Sequence, residues 1–264
     1  MNIKVSIHRC AGYSAPEVYK SVAASVESLG GMQGFVKPGE RILLKPNMLA
    51  GKPPEAAVTT HPSVVRALIR LVKEAGGKPF VGDSSGLGSM RKIAERCGIL
   101  EVCEKEGAGF VEFKDAVTVE NPFGRAFKRL ELAKDALEAD GIINIPKMKT
   151  HAQMFLTLGI KNMFGCVPGK RKPQWHLSAG VDSRHFARML LDVYSFLRPR
   201  LTVMDAITAM EGNGPAGGTA KHLGLIIASP DAVALDRVSV EVLSTRPDNL
   251  PLLMAARLSR EKGG

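Results

Sequence analysis

The chain has 264 residues, 45% of them hydrophobic and 23% charged, a globular composition that excludes disordered and fibrous classes. Its formal net charge of +10 implies a preference for anions, without choosing among nucleic acid, a membrane surface and a small phosphate or carboxylate. No run approaches the roughly 18 apolar residues of a membrane span, and the first residues alternate like a strand rather than forming a signal sequence, so a cytoplasmic location is expected.

Strand-like and helix-like runs alternate along most of the chain. Met1 to Cys10 reads as a strand through Ile3, Val5 and Ile7, and Pro16 to Leu29 as a helix closed by Gly30 and Gly31. Arg41 to Pro46 reads as a strand. The helix after Thr60-His61 has Pro62 in its first turn and an apolar face of Val64, Val65, Leu68, Ile69 and Val72. Lys78 to Gly82 is a strand, Met90 to Lys105 two short helices broken at Gly98, and Gly109 to Leu132 a region of irregular strands and turns. Asp140 to Ile145 is a strand, Ala152 to Leu158 a helix, and Gly165 to Ala179 a loop rich in Pro, Gly and Lys. Val181 to Leu197 is a helix, Leu201 to Met204 and His222 to Ala228 are strands, and Ala232 to Leu243 and Leu252 to Glu261 are closing helices. The alternation predicts an α/β fold: a mostly parallel sheet with helices on both faces, three-layered and Rossmann-like. A single domain over 1–264 is expected, with an inserted lobe around 150–198 as a variant of it.

Ligands of open α/β sheets bind beyond the carboxyl ends of the strands. Four predicted strands run there into polar residues: Lys45 and Asn47; Asp83, Ser84 and Ser85; Lys147, Lys149 and His151; and Asp205. Gly141 to Val181 contains no Asp or Glu at all. In extended backbone Lys147, Lys149 and His151 share one face. Two ammonium groups side by side depress one another's pKa unless an anion lies between them, so such a pair binds an anion or holds one lysine partly neutral as a base or nucleophile. A helix starting at Ala152 adds free amides to an anion site. Lys45 and Asn47 share a face about the rigid Pro46, and Asp83 is expected to orient a lysine or His61, or to cap a helix, ahead of holding a metal.

Cys10, Cys97, Cys103 and Cys166 form no C-x-x-C pair, so no cluster or zinc site is recognisable within the chain, and they read as buried thiols. Cys166 stands out because flanking cations favour a thiolate. Gly212, Gly214 and Gly217 match G-x-G-x-x-G, but a strand follows them where a dinucleotide fingerprint needs a helix, and the lysine of a phosphate-binding loop is lacking.

Leu44-Lys45-Pro46-Asn47, Thr59-Thr60-His61-Pro62, Gly82-Asp83-Ser84-Ser85-Gly86, the Ile145 to His151 stretch and the Leu158 to Gly165 stretch occur in that order. Met204-Asp205, Gly212-Asn213-Gly214-Pro215 and the Asp231 to Asp236 segment follow them. Together these motifs closely resemble the domain of unknown function 362 family over nearly the whole chain. Many of its members are described as iron-sulfur centre proteins and carry a ferredoxin-like module after this domain. Nothing of that kind follows Gly264, so the resemblance implies a [4Fe-4S] cluster on a separate ferredoxin-like partner, or a shortened chain.

The leading expectation is a redox-linked enzyme that holds an anionic small molecule at the strand ends. Its catalytic candidates are Lys147, Lys149, His151 and Asp83, and its ligand-binding candidates are Lys45, Asn47, His61, Ser84, Ser85, Lys161, Asn162 and Asp205. One rival is a non-catalytic electron-transfer partner or scaffold whose basic face docks an acidic ferredoxin. Another is a single-stranded nucleic-acid binder using Lys170, Arg171, Lys172, Trp175 and His176, which the sparse aromatics disfavour.

Overall fold

The computed structural model describes residues 3–86, 88–169 and 183–261. The long sheet runs β1 (Ser6–Arg9), β11 (Thr219–Ser229), β10 (Leu201–Glu211), β7 (Gly141–Ile145), β2 (Arg41–Pro46), β3 (Lys78–Asp83) and β4 (Gly109–Glu112). From β10 to β4 every pairing is parallel, and only β11 runs against its neighbours on this path. The chain is thus an α/β protein with a mostly parallel sheet. Strands β8 (Lys147–His151) and β9 (Phe155–Thr157) form a hairpin in which β8 prolongs the line of β7 and pairs with the far half of β10. A separate antiparallel ribbon, β5 (Ala116–Glu120) with β6 (Arg129–Ala133), occupies the stretch expected to be irregular.

Strand β2 explains why helices lie on both faces, because successive side chains point to opposite sides. Ile42 and Leu44 pack with α1 (Ala15–Glu27), α2 (Pro62–Glu74), α3 (Met90–Arg96) and α4 (Ile99–Glu106). Leu43 packs on the other side with α6 (Gly159–Asn162), α7 (Ser183–Leu197) and α9 (Pro251–Glu261), and α5 (Lys134–Leu137) joins the same cluster. A third cluster joins the β8–β9 hairpin and β10 to α8 (Ala232–Val242). Each fully buried Leu, Ile or Val contributes about 1.5–3 kcal/mol, so a strand buried on both faces is firmly fixed in register. The polar residues at its end therefore sit on a rigid base.

Two expectations need correction. Ala152 to Leu158 is not a helix: the His151 ring Nδ1 accepts from Gln153 N and Met154 N, each at 3.2 Å, and this closes the turn between β8 and β9. The segment packs Met154 and Leu156 inward as a hairpin, which overrides a weak helical pattern, and it brings no helix N-terminus to His151. The strand expected over Leu201 to Met204 continues to Glu211, because β8 and β11 both offer it partners. Gly212, Gly214 and Gly217 then lie in the turn between two antiparallel strands, the wrong setting for a dinucleotide fingerprint. No helix among the described residues is long and apolar enough to cross a membrane.

Candidate functional site

The strand ends carry three lysines that are almost completely removed from solvent: Lys45 is 1% exposed, Lys147 0% and Lys149 1%. Burying an ammonium group is costly unless it is paired and hydrogen-bonded, so the partners of each define the site.

Lys45, at the end of β2, forms an ion pair with Asp83 at the end of neighbouring β3, Nζ to Oδ1 3.0 Å. It also donates to Pro46 O at 2.6 Å and to Asn162 Oδ1 at 3.4 Å. Asp83 accepts from Met48 N at 2.9 Å and Ser84 N at 2.8 Å, so this carboxylate is consumed by a lysine and two amides. Ser84 Oγ lies 2.7 Å from both Gly165 O and Val167 O and ties the segment after α6 across the pair. Gly165 passes so close that a Cβ there would run into the Lys45 ammonium and the Asp83 carboxylate. A bare backbone at this point is a requirement of the site.

Lys147 has a different fate. Its Nζ donates to Asp205 Oδ2 and to the Tyr13 hydroxyl, both at 2.8 Å. Tyr13 donates to Asp205 Oδ1 at 2.8 Å, and Asp205 also accepts from His61 N at 2.9 Å. The His61 ring stacks on Tyr13 with centroids 3.6 Å apart, and its Nδ1 caps α2 by accepting from Ser63 N. Burial lowers the His61 pKa to about 4, against the pull of Asp205, and burial pushes the Tyr13 phenol upward. Burial also lowers Lys147, and the neighbouring Asp205 opposes that shift. These groups satisfy one another, and none of Lys147, Tyr13, His61 and Asp205 lines the cavity over Lys45 and Lys149.

Among the described residues, Lys149 has no carboxylate partner. Its Nζ donates to Asn47 Oδ1 and to Val58 O, both at 2.7 Å. A chain of amides fixes that geometry: Asn47 Nδ2 donates to Asn162 Oδ1 at 2.9 Å, Asn162 Nδ2 to Asn144 Oδ1 at 2.8 Å, and Asn144 Nδ2 to Gly159 O at 2.8 Å. Asn47 must therefore turn its oxygen toward the lysine. Burial lowers the Lys149 pKa well below that of a free lysine, and the charges of Lys161, Lys147 and Lys45 add to the effect. Of those three lysines, Lys161 contributes most.

A cavity of about 410 Å³ opens over these groups. Lys45, Asn47, Asp83, Lys149, His151, Lys161 and Asn162 form its polar side, while Met48, Leu49, Phe164 and Pro215 supply apolar wall. Thr157, 3% exposed, also lines it, and its Oγ1 has no hydrogen-bond partner among the described residues. An orphan hydroxyl in a cavity wall is a group waiting for a ligand or a water. Because His151 Nδ1 accepts two amides, the neutral ring carries its proton on Nε2 and acts as a donor.

Of the residues expected to form the site, Lys45, Asn47, Asp83, Ser84, Lys149, His151, Lys161 and Asn162 are brought together at this cavity. Lys147, His61 and Asp205 belong to the Tyr13 cluster, and Ser85 lines a separate groove beside Glu112 and Lys114. The basic stretch from Lys170 to His176 lies outside the described residues. Cys166 is buried in an apolar cluster. Sequence reading gave no site role to Tyr13, Asn144, Thr157 or Asp236. The last is fully buried on α8 and accepts from Gly159 N at 2.7 Å and Ile160 N at 3.1 Å, which anchors the element carrying Lys161 and Asn162. Asn144, an amide inside an apolar strand, was the one with a visible signal.

Known proteins agree with this architecture. The chain is 45% identical over 251 residues to a thylakoid-associated protein of Synechocystis sp., covering 95% of this chain and 78% of that one. Its fold is similar to that of the lactate racemase apoprotein from Thermoanaerobacterium thermosaccharolyticum, with a TM-score of 0.53 at 13% identity, over 89% of this chain. The present chain spans 56% of the racemase's length, and the likeness is one of fold. The model of the domain of unknown function family DUF362 matches residues 42–241, and with the close relative this shows that the chain belongs to that family.

Proposed function

We propose that the protein binds a small anionic molecule, bearing a carboxylate or phosphate, in the cavity at the carboxyl ends of β2, β3 and the β7–β8 line. One observation carries this reading: Lys45, Lys149 and Lys161 line a cavity where, among the described residues, Asp83 is the one lining carboxylate and is already engaged by Lys45 and two amides. An anion entering there meets the Lys161 side chain, the Nε2 face of His151 and the Thr157 hydroxyl, which has no hydrogen-bond partner among the described residues. The apolar walls favour a ligand with a hydrocarbon part over a polyphosphate.

That the protein is a redox-linked enzyme, served by a cluster on a ferredoxin-like partner, is an extension of the proposal and rests on the family resemblance. A cytoplasmic location is likewise a proposal. The thylakoid-associated relative makes a membrane surface the alternative, and fractionation with the relative as a marker decides between them.

Binding is tested by thermal shift and calorimetry at low salt against carboxylates and phosphates of graded size. Lys161→Gln and Lys149→Met should each weaken binding by about tenfold or more, since each removes one charge-assisted contact of 1.5–3 kcal/mol. Equal affinity in wild type and both variants would place any bound anion elsewhere.

A further inference from the structure

We infer that Lys149 is an amine nucleophile that condenses with the carbonyl of a 2-oxo carboxylic acid, the ligand's carboxylate being held by Lys161 and the Thr157 hydroxyl. The inference rests on the anion-cavity reading and names the substrate class for it.

The hydrogen-bond inventory of the three buried lysines carries the argument. Lys45 meets a carboxylate and two oxygen acceptors, and Lys147 meets a carboxylate and a phenol, which is the surrounding of an ammonium ion. Lys149 meets two neutral acceptors, Asn47 Oδ1 and Val58 O. A neutral amine has two N–H bonds, and both are spoken for. In that form the nitrogen's remaining tetrahedral position is a lone pair, and the residue lines the cavity. The surrounding cations and the removal of water favour that neutral form, as they do for lysines that form imines.

Substrate class follows from what lines the cavity. Lys161 and Thr157 line the same cavity as Lys149, so an anionic group seated on them shares that space with the reacting amine. A carboxylate attached directly to the carbonyl carbon fits a cavity of about 410 Å³ with apolar walls better than a long chain ending in a phosphate. Met48, Leu49 and Phe164 leave room for an apolar side chain. In the reaction the Lys149 lone pair forms a C–N bond to the carbonyl carbon, whose oxygen takes up a proton. The carbinolamine then expels that oxygen as water, and the nitrogen gives up its two hydrogens overall, leaving a C=N bond. No oxidant or reductant is consumed.

The test treats the full chain with pyruvate, 2-oxo-4-methylpentanoate or phenylpyruvate and then borohydride, and maps reduced adducts by peptide mass spectrometry. Adduct at Lys149 is expected to exceed that at exposed Lys20 by about tenfold or more at neutral pH, to saturate with substrate, and to be competed by the matching 2-hydroxy acid. Lys161→Gln, which leaves the nucleophile in place, should remove saturation but keep slow labelling. Lys149→Arg should remove the site-specific adduct. Binding of the 2-hydroxy acid in the cavity with no adduct at Lys149 for any of the three overturns this inference and leaves the anion reading intact. Absence of both sinks the two together.

Discussion

Individual residues here show how a buried charge is made tolerable. Lys147 and Asp205 lie with no solvent exposure, and Asp205 also receives Tyr13 and the His61 amide. Lys147→Met should therefore cost about 3–5 kcal/mol in urea unfolding, because it strands a buried carboxylate. His61 tells the same story through pH. Its pKa falls from 6.5 in the free residue to about 4, so the unfolded chain binds the proton more readily. The stabilising effect is complete above about 6.5 and is lost as pH falls toward 4, amounting to about 3 kcal/mol at the limit. In His61→Asn, which keeps a capping acceptor, that part of the acid loss should vanish; equal acid sensitivity in both proteins contradicts the assignment. At the same scale, Gly165→Ala should destabilise by about 1–3 kcal/mol or more by overpacking the Lys45–Asp83 pair, and should abolish anion binding.

Elements of structure decide which residues become neighbours, and here sequence reading was uneven. Lys45 and Asp83 were legible because β2 and β3 are apolar runs with abrupt polar ends, adjacent and parallel. Lys147 and Lys149 were legible as a pair but not as individuals. Only the distant strand β10, pairing Asp205 opposite Lys147 and Met210 opposite Lys149, neutralises the first and leaves the second to the cavity. The His151 turn was read as a helix start because a side chain imitating a backbone acceptor leaves little trace in composition. Asp236 was quoted as the end of a motif segment but given no role, because its two partners, Gly159 N and Ile160 N, are main-chain groups. Burial raises its pKa from 3.8 to about 7, with the two amides pulling the other way. Its contribution is full below about 4 and declines as pH rises through 7, by about 4 kcal/mol. The stability difference between wild type and Asp236→Asn should fall across that window in unfolding titrations; a flat difference would show that the carboxylate is not under burial stress.

The whole molecule concentrates its chemistry where a parallel sheet directs it. The alternation of strands and helices made the fold readable, and the family motifs fell on the strand ends and on the segments that close over them. What the pattern could not supply was depth: three of the basic groups that looked like a surface for anions are core lysines, and the net charge of +10 says little about them. Depth changes the consequence. A surface site binds anions with strong salt dependence and no proton exchange, whereas a buried amine with a lowered pKa must gain a proton to pair with an anion.

Calorimetry of one carbonyl-free carboxylate, run at constant pH in two buffers of different ionisation enthalpy, tests that claim most directly. With no carbonyl for the amine to attack, Lys149 protonates and pairs with the carboxylate, so the account predicts proton uptake on binding, affinity that weakens as pH rises, and loss of the uptake in Lys149→Met. Binding of equal strength in wild type and variant, with the same heat in both buffers, would contradict it.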